Sequence, residues 1–125
     1  MSDRMTGDNT KYNTAGQLDG AVVLIYTTFP LQSQAQNIGR NLVEAGLAAC
    51  VNIFPGMTSV YSWQGKVEQA DETVMIIKTA RSRTDEILAY IERYHPDDVP
   101  AQLVLPVIDG GKNFLDWILK QTAER

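Results

Sequence analysis

Apolar and polar positions change period several times along the chain. Residues 21–27 (AVVLIYT) form a nearly continuous β-branched and aromatic run, which suits a central strand or one covered on both faces. Pro30 follows at a place where a first helical turn tolerates a missing N–H. Ala35, Ile38, Leu42 and Val43 then share one helical face. Gly39 lies on that stripe and allows close approach to a sheet, and Gly46 is a natural left-handed stop. Ala49, Val51 and Ile53 alternate with Cys50 and Asn52, the period of a strand. Pro55-Gly56 breaks the alternation and predicts a bend or bulge. Extended structure resumes at Met57, with Tyr61 and Trp63 on one side and Val60 and Ser62 on the other. Gln64-Gly65 predicts a tight reversal into a returning strand that ends in TVMIIKT at 73–79.

Ser82-Arg83-Thr84-Asp85 has the pattern of a helix start, and Ile87, Leu88, Ile91 and Tyr94 continue it as an apolar stripe. Pro96 disfavours α geometry at His95 and ends that helix. Residues 103–107 (LVLPV) predict a short strand whose Pro106 marks an edge or a bend. Asn113 is placed to cap a last helix in which Phe114, Trp117, Ile118 and Gln121 share a face. The order is therefore β-α-β-β-α-β plus a terminal helix. That is an α+β, ferredoxin-like split βαβ arrangement with a long central β-hairpin and an extra C-terminal helix.

The hairpin has a consequence for assembly. Residues 66–80, if extended throughout, span about 50 Å at about 3.3 Å per residue, whereas a domain of about 100 residues is only about 35 Å across. The hairpin should overhang its own sheet and carry Tyr61 and Trp63 into solvent. Rings of that size each bury on the order of 150–250 Å² when covered, and bare strand edges invite pairing. A closed ring of subunits, each covering a neighbour's overhang, removes the exposure. The other solution is a bulged hairpin that curls back onto its own domain.

Composition narrows the function. The 125 residues suit one domain over 20–125, preceded by a polar tail at 1–19 that lacks the apolar stretch of a signal peptide. The formal net charge is −4, which opposes binding to nucleic acid or to an anionic membrane surface. No apolar run is long enough to span a membrane. A single cysteine, Cys50, excludes an intrachain disulfide and suits a reducing, cytoplasmic setting.

Several segments together resemble the CutA family, the divalent-cation tolerance proteins. They are VVLIYTTFP at 22–30, LVEAGLAACVNIFPGMTSVYSWQGKVEQ at 42–69, MIIKT at 75–79, HPDDVP at 95–100 and LDWI at 115–118. The stretch 47–68, with its AACVNI run, Pro-Gly break and Y-x-W-x-G-K turn, is the most specific. The resemblance implies a ferredoxin-like subunit, a homotrimer built through β-pairing between subunits with Tyr61 and Trp63 at the interface, and a link to copper and other divalent cations. It implies no reaction and no required cofactor. A copper site proposed within the family uses a cysteine on the first strand and two adjacent histidines. Here those positions hold Tyr26, Tyr94 and His95, so the resemblance implies at most weak binding through His95. The family's usual aromatic and glutamate are replaced by Asp97 and Ala101.

The residues themselves leave alternatives. Copper and zinc prefer thiolate and imidazole, and the chain holds one of each, Cys50 and His95. A structural zinc site takes four such ligands, so a metal site would need Asp97, Asp98, methionines or a second subunit. Cys50 reads either as a small core residue or as a ligand. His95 reads either as a helix end or as a metal contact. Catalysis would pair His95 with Asp97 or Asp98, beside Tyr61 or Lys66, but none of the familiar nucleophile, phosphate-loop or zinc-helix motifs is present. Gly110-Gly111-Lys112 reads as a connecting loop. A third possibility is a sensor resembling the PII signalling trimers, although Gln64-Gly65 leaves almost none of the long loop those proteins use.

Overall fold

The computed structural model describes residues 21–124, so the predicted tail at 1–19 lies outside the described residues. Strand β1 (Val22–Phe29) leads through helix α1 (Gln32–Glu44) to β2 (Cys50–Trp63) and β3 (Lys66–Ala80). A short 3₁₀ turn (Arg81–Arg83) opens α2 (Thr84–Tyr94), followed by β4 (Gln102–Pro106) and α3 (Lys112–Gln121). The sheet order is β2-β3-β1-β4, and every pairing is antiparallel. This is the expected α+β split βαβ topology, with β2 and β4 as the edges. Pro106 sits at the end of edge strand β4, where its missing N–H is tolerated.

One face of the sheet makes the main core. Val23, Ile25 and Phe29 of β1 and Met75 and Ile77 of β3 pack against Ala35, Ile38 and Leu42 of α1 and Ile87 and Ile91 of α2. Gly39 explains how closely α1 approaches: a Cβ there would lie 2.8 Å from Val51 Cγ2 and 3.1 Å from Met75 Sδ. The end of α1 is equally specific. Gly46 has φ +75°, and Gly46 N–H and Leu47 N–H donate to the Val43 and Leu42 carbonyls at 3.0 Å, which satisfies the last turn.

The hairpin has the predicted form. Gln64 and Gly65 take φ 51° and 81°, the paired left-handed conformation of a two-residue reversal, and Trp63 faces Lys66 across it. Between Phe54↔Val74 and Met57↔Glu72 the register shifts, so Pro55 and Gly56 together oppose Thr73. Gly56, at φ +80°, supplies the bulge. The extra residue exchanges the two faces of β2: Tyr61 and Trp63 come out on the same face as Phe54, away from α1 and α2.

Several local expectations are corrected. Pro30 precedes α1, which begins at Gln32 with Leu31 as N-cap; the Gln34 side chain accepts from Leu31 N–H at 3.0 Å. Val43 is exposed because it lies at the edge of the stripe. Ser82 makes no cap, since it sits in the 3₁₀ turn. Tyr94 is exposed and packs on Tyr90. Asn113 lies inside α3, whose N-cap is Gly111.

Helix α3 crosses the other face of the sheet, where Ile118 packs with Val22 and Ala49, flanked by Leu115 and Leu119. Phe114 and Trp117, which share a helical face with Ile118, stack on each other at 5.8 Å and stay largely exposed. Buried Arg83 donates from Nε to the Thr122 carbonyl at 2.8 Å and from Nη1 to Glu86 at 2.9 Å, fastening the end of α3. Among the described residues no helix is long and apolar enough to cross a membrane.

Replacing Gly39 by Ala should lower stability. The helix propensity gain is at most about 1 kcal/mol, whereas overpacking against Val51, a side chain stiff at χ1, costs about 1–3 kcal/mol. Urea unfolding of the variant should therefore show a lower midpoint than the parent.

Candidate functional site

Strand β1 pairs with β3 only from Val22↔Ala80 to Phe29↔Thr73. Residues 66–72 of β3 therefore pair with β2 alone and form a two-stranded ribbon projecting beyond the sheet. At the corner where β1 stops and the ribbon continues lies an open cleft of about 890 Å³. Tyr26, Thr28 and Pro30 form its base, and Tyr61, Trp63, Asp71 and Glu72 its ribbon wall. The loop after α2, with Pro96, Asp97, Asp98 and Val99, makes the opposite wall.

His95 holds that loop in place. Its side chain is fully buried, its ring stacks on Phe29 at a centroid distance of 4.6 Å, and its own N–H donates to the Ile91 carbonyl at 2.8 Å. Nε2 is 2.6 Å from the Thr28 carbonyl. A carbonyl only accepts, so Nε2 carries the proton. Nδ1 is then the acceptor, and Asp97 N–H donates to it at 3.0 Å. Both ring nitrogens are thus engaged with backbone. The Asp97 carboxylate stands 3.9 Å from Nδ1, beyond hydrogen-bond length, so no His–carboxylate hydrogen bond of the kind used in acid–base catalysis is formed here.

Cys50 belongs to a different region. It is half-buried beside α3, and its Sγ accepts long contacts from Lys78 Nζ and Asn52 Nδ2, each at 3.9 Å. Cys50 pairs with Lys78 and Lys78 with Leu24. Thr28, which holds His95, is four residues further along β1, about 13 Å at strand spacing. Metal bonds to nitrogen or sulfur are about 2.0–2.3 Å long, so one ion cannot join Cys50 to His95 within a subunit. Among the described residues no three His, Cys, Asp or Glu side chains are grouped closely enough to hold a metal ion.

Tyr61 and Trp63 both line the cleft and remain exposed, Trp63 at 59%. They are part of a larger uncovered surface. Strand pairing sets Leu103 opposite Tyr26 and Leu105 opposite Leu24, on the face that Phe54 shares. Leu103 is 63% exposed and Phe54 51%. Local sequence patterns did not single out Asp71 and Glu72, because they look like solvated positions of a strand. Only the overhang of β3 past the end of β1 brings them to the cleft that Asp97 and Asp98 also line.

His95→Ala should strip the Thr28 carbonyl and Asp97 N–H of their partners and remove a buried ring. Together these losses amount to about 3–5 kcal/mol. Chemical denaturation should register the loss, and hydrogen exchange should show faster exchange at Asp97.

Comparison with known proteins agrees with this architecture. The family described as CutA1 divalent ion tolerance protein matches over residues 23–121. The divalent-cation tolerance protein CutA of Yersinia pestis is 38% identical over 118 residues, 94% of this chain and 93% of the relative. Among solved structures, CutA1 from Oryza sativa superposes with a TM-score of 0.81 at 34% identity, covering 86% of this chain and 99% of that one. A protein from Archaeoglobus fulgidus described as the periplasmic divalent cation tolerance protein CutA gives 0.78 at 39% identity, covering 81% and 98%. With the family match spanning nearly the whole described chain and relatives alike end to end, the protein belongs to the CutA1 divalent ion tolerance family.

Proposed function

We propose that the chain works as a homotrimer in the response to divalent cations, as a binding and assembly module without a reaction of its own. The observation that carries this reading is the uncovered apolar face. Phe54, Tyr61, Trp63, Leu103 and Leu105 all stand on the side of the sheet away from α1 and α2, and each is exposed in the single subunit. So many exposed large apolar side chains on one face of a sheet are unusual for a monomer. The ribbon 66–72 adds an unpaired strand edge beside it. Three copies arranged in a ring, each ribbon laid against the next subunit with Tyr61 and Trp63 at the contact, cover both features and close without leftover edges. The free thiol of Cys50 favours a cytoplasmic setting.

Copper or another divalent cation would be held weakly. At His95 the ion would have to displace Asp97 N–H from Nδ1 and could recruit the Asp97 carboxylate nearby. Exchanging a made hydrogen bond for one metal bond leaves little net affinity. A second reading, a small-molecule or nucleotide sensor resembling PII, is favoured by the cleft, but the two-residue reversal at Gln64-Gly65 offers no mobile partner-contacting loop.

Light scattering of the full chain at micromolar concentration should give three times the 13.9 kDa subunit mass, and Trp63→Lys should shift the population toward single subunits. One subunit mass for the parent chain would remove this reading. In calorimetry copper(II) should bind weakly, and less well to Asp97→Ala; no detectable heat, or unchanged binding by the variant, would eliminate the metal contact.

A further inference from the structure

On the face of the sheet away from α1 and α2, charge is divided between two places. Strand alternation sets Lys66, Glu68 and Glu72 on that face of the ribbon, beside Tyr61 and Trp63. In the four-stranded part the same face of β3 carries Lys78, paired with Leu24 on one side and Cys50 on the other. No other strand position on that face of the four-stranded part is charged. The ribbon end is thus net acidic and the sheet end basic.

Lys78 lacks a counter-charge. Its side chain is half-buried, with Nζ 3.9 Å from Cys50 Sγ and 5.5 Å from the centre of the Phe114 ring. Among the described residues no carboxylate lies within ion-pair distance of it. A neighbour that covers this face takes the ammonium further out of water, which is costly unless the neighbour also brings an anion. Glu68 has the converse situation. It is exposed, stands opposite Tyr61 across the ribbon, and among the described residues makes no hydrogen bond or ion pair. Glu72 differs in already accepting from Ser59 Oγ at 3.3 Å.

Glu68 and Lys78 cannot meet within one subunit. They lie ten positions apart on a single strand, about 33 Å at about 3.3 Å per residue. Between copies there are three ways to join these faces. Ribbon on ribbon sets acid against acid, and sheet on sheet sets lysine against lysine. Ribbon on sheet alone brings opposite charges together, and complementary charge fixes partner and register. It also joins two different patches, so every copy gives one and receives one, as a closed ring requires.

We propose that the ribbon of each subunit lies with its ring-bearing face on the next subunit's sheet, where Glu68 of the partner subunit pairs with Lys78. This rests on the homotrimer reading and specifies which faces of the copies meet.

The test reverses the charges in the full chain and follows subunit mass by light scattering on dilution. K78E and E68K should each dissociate at a concentration at least tenfold above the parent. The double variant K78E/E68K, with the pair restored in reverse, should return to within about threefold of it. An equal mixture of the two single variants should assemble better than either alone, because two contacts in each mixed ring then join opposite charges. This rescue separates a contact between copies from misfolding, which mixing does not repair. Single variants that assemble like the parent, or a double variant no better than the singles, overturn the pairing while leaving the trimer intact. So does a trimer that ignores E68K but depends on added phosphate, which would give Lys78 a dissolved anion instead. A parent chain with one subunit mass removes the homotrimer reading itself.

Discussion

Strand β3 is longer than the strand beside it, and most of the molecule's functional character follows. Its pairing with β1 ends at Phe29↔Thr73, while its pairing with β2 continues to Trp63↔Lys66. The sheet therefore has four strands at one end and two at the other. The step between them creates a corner, and that corner is the cleft. The same step leaves a strand edge unpaired and sends two large rings beyond any surface the subunit can offer them. The bulge at Pro55-Gly56 decides where those rings go. Without the extra residue, strand alternation would turn Tyr61 and Trp63 toward the helix side; with it, they join Tyr26, Leu103 and Leu105.

The lone imidazole is used up by architecture. His95 closes α2, stacks on Phe29 and joins the end of β1 to the loop after α2 through backbone bonds from both ring nitrogens. The loop wall of the cleft stands where it does because of that ring. A residue with two satisfied nitrogens is a poor first choice for a soft cation, and the lone thiol lies at the opposite end of the sheet beside α3. The carboxylates that line the cleft are spread along its walls rather than gathered to a point.

Much of the fold was legible in the sequence, because its signals are local. The bulge, the reversal at Gln64-Gly65, the stop at Gly46 and the close approach at Gly39 each rest on one glycine or proline with a strict conformational reason. Helical spacing says less. Val43, Phe114 and Trp117 share a face with buried residues as their spacing predicts, yet they stay exposed, because spacing fixes only which residues neighbour one another around a helix. Which part of an apolar stripe is covered depends on where the sheet lies. Asn113 and Ser82 have the chemistry of caps, yet Gly111 and the 3₁₀ turn began those helices elsewhere. The cleft was hardest to see. Asp71 and Glu72 are separated from Asp97 and Asp98 by more than twenty residues, and only the overhang of β3 past β1 brings them to one cleft.

The ribbon must solve two opposed problems, and its composition shows how. An overhanging pair of strands with exposed rings would associate without limit if its charge allowed it. Glu68, Asp71 and Glu72 stand on β3 within this projection, against only Lys66 in the same stretch. Two such ribbons brought together strand to strand repel each other, which opposes open-ended stacking. A neighbour that presents the apolar face of its sheet meets rings and valines instead. Charge on the projecting strand thus opposes the ribbon-on-ribbon contact that would extend a fibre.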